Sequence, residues 1–127
     1  MKVFKRRHPQ SPLSRSQALD SRPAKSLHVA ETRLENGEVL LEYPLRVKPW
    51  IAALARRFGS PADQVHTKKL QLDALGSAVW DLVDGKRSVR RIVQIFAETH
   101  RLEKKEAEVS VTSFIKQLGQ RGLLGLR

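Results

Sequence analysis

Apolar residues recur at every second position early in this chain and at every third or fourth position late in it. Leu27 and Val29 alternate with polar neighbours, Glu35-Asn36-Gly37-Glu38 interrupts, and Val39, Leu41 and Tyr43 alternate again up to Pro44. A period of two marks a half-buried strand, because successive side chains leave a strand on opposite faces. Asn-Gly between two such runs marks a hairpin turn, since both positions tolerate positive φ. The pattern predicts a β-hairpin over about Leu27–Tyr43. Thr67-Lys68-Lys69-Leu70-Gln71-Leu72 predicts a third strand with Leu70 and Leu72 inward.

Beyond Leu72 the period changes. Asp73 suits a helix N-cap, and Leu75, Val79, Leu82 and Val83 follow at helical spacing with Trp80 beside them, up to a stop at Gly85. Ser88 caps a second helix carrying Val89, Ile92, Val93 and Phe96. After His100-Arg101-Leu102 a third helix carries Ala107, Val111, Phe114 and Leu118, with Ile115 alongside and Gly122 as C-cap. Its start lacks a good capping residue, and Gly119 weakens it by about 1 kcal/mol relative to alanine. Between the second and third strands, Pro49–Phe58 predicts a further short helix. Trp50, Ile51, Leu54, Ala55 and Phe58 share one stripe there, and Gly59 is its stop. That stripe either packs on the sheet or meets a membrane or partner.

These elements predict an α+β fold of winged helix-turn-helix-like form. A three-stranded antiparallel sheet is followed by a three-helix bundle, with a helical insertion (44–66) between strands 2 and 3. Residues 27–127 form a single domain in this reading. Residues 1–26 are rich in Ser, Pro, Arg and Lys and show no apolar period. They predict a flexible basic arm, because scattered apolar residues do not offset the entropy of ordering.

Charge is unevenly spread. The formal net charge is +11. Residues 1–26 hold seven basic residues against one acid, 27–66 hold five against five, and 67–127 hold twelve against seven. More than half of the excess therefore lies on the arm, where it attracts polyanions in general. The chain has no cysteine, which excludes disulfides, thiolate metal sites and a cysteine nucleophile. No run approaches the roughly 20 apolar residues that span a bilayer. No signal-peptide core follows the N-terminal basic residues, so a cytoplasmic protein without a transmembrane segment is expected.

No catalytic constellation stands out. His8, His28, His66 and His100 fall in different segments, and no Gly-rich phosphate loop joins a strand to a helix. Glu103, Glu106 and Glu108 open a helix, where they favour its dipole without further purpose. The expectation is that the protein is not an enzyme and holds neither cofactor nor metal.

The run from Leu72 to Val89, Leu-Asp-Ala-Leu-Gly-Ser-Ala-Val-Trp-Asp-Leu-Val-Asp-Gly-Lys-Arg-Ser-Val, resembles the PqqD-like signature. The likeness continues through Ile92, Phe96 and Ala97, then Glu106-Ala107, Phe114, Leu118 and Arg121-Gly122-Leu123-Leu124. It covers about residues 27–43 and 67–127; the arm and the segment Pro44–His66 are additions. The resemblance implies a peptide chaperone, or RiPP recognition element, of the kind that acts in PQQ biosynthesis. Such proteins bind the leader of a ribosomal precursor peptide as an added strand and present it to a modifying enzyme, often a radical SAM protein. Carried onto this sequence, the peptide-binding edge is Thr67, Lys68, Lys69, Leu70, Gln71 and Leu72. The facing helix contributes Ser110, Ser113, Phe114, Gln117 and Arg121. Lys68, Lys69 and Arg121 supply positive charge for an acidic leader. Whether the protein is a homodimer is left open by the sequence.

The alternative is a winged-helix DNA-binding protein or a non-specific nucleic-acid binder. Its recognition helix would begin Glu103-Lys104-Lys105-Glu106-Ala107-Glu108. Three carboxylates there oppose phosphates, and side chains suited to base edges are missing from that turn. Nucleic-acid affinity would then come from the arm with Arg56, Arg57, Arg90 and Arg91.

Overall fold

The computed structural model describes residues 14–44, 57 and 67–126. Among the described residues the elements run α1 (Arg15–Asp20), β1 (Pro23–Lys25), β2 (Ala30–Arg33), β3 (Val39–Pro44), β4 (Thr67–Gln71), α2 (Ala74–Leu82), α3 (Val89–His100), α4 (Lys104–Gln120) and β5 (Leu124–Leu126). The expected insertion helix over 49–58 lies outside the described residues apart from Arg57, which is helical.

The fold is α+β. Strands β2, β3 and β4 form an antiparallel sheet in that order, and β1 and β5 form a separate antiparallel ribbon that the sequence pattern did not signal. Val39, Leu41 and Tyr43 of β3 are buried, as alternation predicts. The first hairpin strand is displaced from its expected place. It begins at Ala30, all four of its residues are exposed, and Leu27, read as inward, is 96% exposed. Its alternation arose from two apolar residues in the loop before the strand.

The turn is also of another kind. Only Gly37 has positive φ (86°), while the amide of Gly37 donates to the Leu34 carbonyl and that of Leu34 to the Glu38 carbonyl, at 2.9 and 2.8 Å. A tight turn closed by one left-handed glycine is the three-residue hairpin loop with a bulge, so only one of the two positions needs glycine's freedom.

The helices bury one stripe each. In α3, Val89, Ile92, Val93 and Phe96 are buried as expected, and Ser88 caps the first turn through the Arg91 amide. In α2 the buried positions are Gly76, Ser77, Val79 and Trp80. Leu75, read as core, is instead half exposed. In α4 they are Ala107, Val111, Ile115 and Leu118, so Ile115 is buried while Phe114 is only partly buried against the core. The uncapped start of α4 is as read, with Glu103 making no side-chain cap. Its other end closes through Leu123 donating to Leu118 around the left-handed Gly122, a Schellman arrangement. Trp80, Phe96, Leu41, Ile92 and Leu123 are the largest fully buried side chains, and they join sheet, helices and C-terminal strand in one core.

The basic arm needs correction over its second half. Ser14 and Gln17 form a reciprocal capping box that starts α1, and Leu19 is buried. Residues 14–25 are thus part of the packed body; residues 1–13 lie outside the described residues. The Val89 amide donates to the Ser21 carbonyl, the Gly85 amide to that of Pro23, and β1 pairs with β5 from Pro23↔Leu126 to Lys25↔Leu124. Two ion pairs, Arg15–Glu108 at 2.7 Å and Arg90–Asp20 at 3.1 Å, tie α1 to the long helices. Lys25 lies over the Trp80 ring at 4.7 Å and pairs with Glu31 at 3.5 Å, while Glu31 accepts the indole N–H. One buried tryptophan thus locks together β1, β2 and α2.

Ser77 is the key polar group of the interior. It is 4% exposed; its hydroxyl accepts from the Val39 amide at 2.9 Å and donates to the Leu72 carbonyl at 3.3 Å. Removing it orphans a buried amide, so Ser77→Ala is expected to cost about 1–3 kcal/mol. Urea unfolding of the two proteins measures the difference. A second expectation concerns acid. The hydrogen bond from Arg15, then its charge, hold the Glu108 carboxyl below the usual carboxylate range. A carboxyl depressed in the folded state adds stability above its unfolded pKa and loses it as pH falls through the folded value. Protection of α1 amides from hydrogen exchange should therefore decline on acidification, and Glu108→Gln should remove most of that dependence.

Candidate functional site

Among the described residues, strand β4 is paired on one side only. Its register with β3 runs from Leu40↔Gln71 to Pro44↔Thr67, and among the described residues no strand lies on its other edge. The register separates its side chains from its outward backbone. Lys68 and Leu70 stand opposite Tyr43 and Leu41, on the face that meets the helices; Leu72 follows in phase and is 5% exposed. Thr67, Lys69 and Gln71 take the outer face, with Lys69 opposite Glu42 and Gln71 donating to the Glu38 carboxylate at 2.8 Å. The Leu72 amide donates to the Val39 carbonyl at 2.8 Å. In an antiparallel ladder alternate residues point their amide and carbonyl to the same neighbour. The even-numbered residues therefore bond inward to β3, and Thr67, Lys69 and Gln71 turn their backbone groups to the open edge.

Helix α4 runs beside this strand in the opposite direction. A Cβ built on Gly76 would lie 2.9 Å from a ring carbon of Phe114 and 3.5 Å from Leu72, which puts Phe114 at the Leu72 end. Arg121 donates to the Tyr43 hydroxyl at 3.2 Å, and Tyr43 is the cross-strand partner of Lys68, which puts Arg121 at the other end. Seven helical residues span about 10 Å and four strand residues about 13 Å, so the two elements match in length.

Two hollows mark the ends of this arrangement. One, of about 260 Å³, lies between α2 and α4 and is lined by Ser110, Ser113, Phe114 and Gln117 with Leu75, Val79 and Phe96. The other, of about 370 Å³, gathers Lys68 and Arg121 with Tyr43, His28 and Gln120. Of the eleven residues expected from sequence, the four on the middle of α4 thus share one hollow, and Lys68 and Arg121 share another. Leu70 and Leu72 lie in the sheet face between them. Thr67, Lys69 and Gln71 point their side chains away, so the expected part of Lys69 in a charged cleft is not met.

Sequence reasoning missed Leu75, Asp73, Tyr43 and His28 as neighbours of the site. For Leu75 the signal was available. Gly76, Val79, Trp80 and Val83 make an i, i+3, i+4, i+7 series centred on the tryptophan, and Leu75 falls one position off it. For Phe114, which was expected at the site, no such signal exists: it stands three residues after Val111 and four before Leu118, as well in phase with the buried series as Ile115.

Charge differs along the cleft. Lys68 and Arg121 make one end basic, whereas at the other Asp73 caps α2 by accepting from the Gly76 amide at 2.7 Å. Among the described residues no group of three His, Asp or Glu side chains is placed to hold a metal ion, and no helix is long and apolar enough to cross a membrane.

Gly76 sets the shape of the apolar end, because α2 and Phe114 approach there too closely for a side chain. Alanine would gain about 1 kcal/mol in helix propensity but incur about 1–3 kcal/mol of overpacking. Gly76→Ala is therefore expected to be less stable than the parent despite the better helix former, by about 1 kcal/mol. Thermal unfolding gives the sign, and shifted Phe114 ring resonances locate the strain.

Residues 65–124 match the family model described as Coenzyme PQQ synthesis protein D (PqqD). The match takes in β4 and α2 to α4 and stops short of the β2–β3 hairpin, which the resemblance read from the sequence includes. No curated protein and no solved structure matches the chain.

Proposed function

From its PqqD-like segment we propose that the chain is a non-catalytic accessory protein of ribosomal-peptide modification, of the PQQ-biosynthesis kind. It captures the leader of a precursor peptide by strand addition to β4 and presents it to a modifying enzyme, such as a radical SAM protein. The sheet with α2, α3 and α4 then serves as a winged-helix-like platform used for peptide rather than for nucleic acid. The observation that carries this reading is the edge of β4 that no strand among the described residues pairs, with α4 alongside.

The chemistry is that of β-augmentation. An unpaired edge offers amide and carbonyl groups that an extended peptide satisfies, and side chains lining the neighbouring groove supply specificity. Thr67, Lys69 and Gln71 supply the backbone contacts in this scheme, and Lys68, Leu70, Leu72, Phe114, Gln117 and Arg121 the side-chain contacts. Ser110 and Ser113 line the apolar hollow and offer hydroxyls to the incoming chain. The nucleic-acid alternative gains no observation in its favour. In the first turns of α4, Glu106 and Glu108 face any phosphate, and Glu108 already engages Arg15.

The test is a titration of the isotope-labelled protein with the short precursor-like peptide encoded beside its gene. Strand addition should move the amides of Thr67, Lys69 and Gln71 more than those of Lys68, Leu70 and Leu72, together with residues along one face of α4. Shifts that avoid β4, or no binding, refute the proposal.

A further inference from the structure

The two ends of the β4–α4 cleft differ in chemistry, and this bears on which peptides it accepts. On the reading of β4 as a capturing edge, on which this inference rests, the cleft also sets the class of segment captured. Lys68 and Arg121 line one hollow, and the hydroxyl that Arg121 engages belongs to Tyr43 opposite Lys68. At the far end the hollow is walled by Phe114, Val79 and the half-exposed Leu75. Asp73 stands there too, its carboxylate fixed on the Gly76 amide. A carboxylate on a guest is attracted at the first end and repelled at the second. An apolar side chain gains only at the second.

Strand geometry converts this polarity into a spacing. Lys68 and Leu72 lie on the same face, four residues apart. The residues opposite them on an added strand take the non-hydrogen-bonded positions, because the outward backbone groups belong to Thr67, Lys69 and Gln71. Those positions bring facing Cα atoms to about 4.5 Å, where side chains interact most closely. The sheet is antiparallel throughout, and antiparallel pairing is the more stable per residue. An added strand in that direction passes Leu72 before Lys68. We infer that the cleft selects an extended segment with an apolar residue at position i and an acidic residue at i+4, aligned antiparallel to β4. Lys68 and Arg121 are both exposed, so the acidic contact sets register and specificity more than total affinity.

Four blocked peptides in one Thr/Val frame test this by calorimetry on the full chain. The parent carries Leu at i and Glu at i+4. The others replace Glu by Gln, exchange Leu and Glu, or move Glu by one residue onto the outer face. The parent should bind about fivefold more tightly than each of the three. Lys68→Glu should erase the preference for Glu over Gln, while Lys69→Glu, with the same change of net charge on the opposite face, should keep it. Equal affinities for the four peptides overturn the inference, as does an equal effect of the two lysine variants, which reports overall charge. A preference for the exchanged peptide also overturns it, by reversing the direction. If peptides bind without preference while the Thr67, Lys69 and Gln71 amides still shift, the spacing fails and the capturing edge stands. If no peptide moves those amides, both fail.

Discussion

Everything on the working face hangs on the way β4 ends. At Leu72 the chain leaves a strand and two residues later begins a helix, so its carbonyl and the facing amide of Val39 cannot complete the ladder with each other. The buried hydroxyl of Ser77 closes the gap by bonding to both. A buried amide left without a partner is far more costly than the net gain of an ordinary hydrogen bond. One serine therefore fixes the angle at which α2 departs from the sheet. That angle sets the position of Gly76 against Phe114 and the line of α4 along β4. The cleft thus depends on this junction as well as on the close approach of Gly76 and Phe114 that lines it.

A second lock works from the opposite side. Trp80 fills the core on the same helix, and its indole N–H reaches the carboxylate of Glu31 on a strand otherwise exposed along its length. Lys25 completes the group, lying over the ring and pairing with Glu31. Because Lys25 belongs to the ribbon β1–β5, both strands of that ribbon are tied to the sheet through one aromatic side chain. The PqqD-like segment thus does not stand alone. Its core is finished by residues from Ser14 to Lys25, which bury Leu19 and Pro23 against it.

Strand β3 and the three long helices could be read from apolar periodicity, because each buries a continuous stripe, and β4 from Leu70 and Leu72. Strand β2 was misplaced because its own four residues are all exposed. What escaped were the choices between adjacent positions. Leu75 against Gly76, and Phe114 against Ile115, differ by one step of about 100° on a helix, and hydrophobicity alone favours the larger residue. Here the small or branched residue went inward and the large one lined the cleft. The early residues escaped for a different reason. Helix α1 and strand β1 are too short to show a period, and their order comes from docking on α3 and β5, contacts distant in sequence. A capping box at Ser14 and Gln17 was the one local signal, and a box marks where a helix starts only if something holds it. The open edge was legible from the resemblance, but the division of β4 into outward backbone and inward side chains required the register.

An edge proposed to recruit another chain would also invite a copy of itself. If two β4 strands met antiparallel about their centres, Lys69 would face Lys69 across the new ladder, with Lys68 of each copy close by. Like charges opposed on neighbouring strands destabilise the pairing, which is how natural sheets keep free edges from aggregating. Lys69 contributes no side chain to the cleft, yet its outer-face position would set like charges against each other in such a pairing. On the proposed function, the pair Lys68-Lys69 would divide two duties between adjacent residues: one facing inward towards a guest, the other outward against a twin.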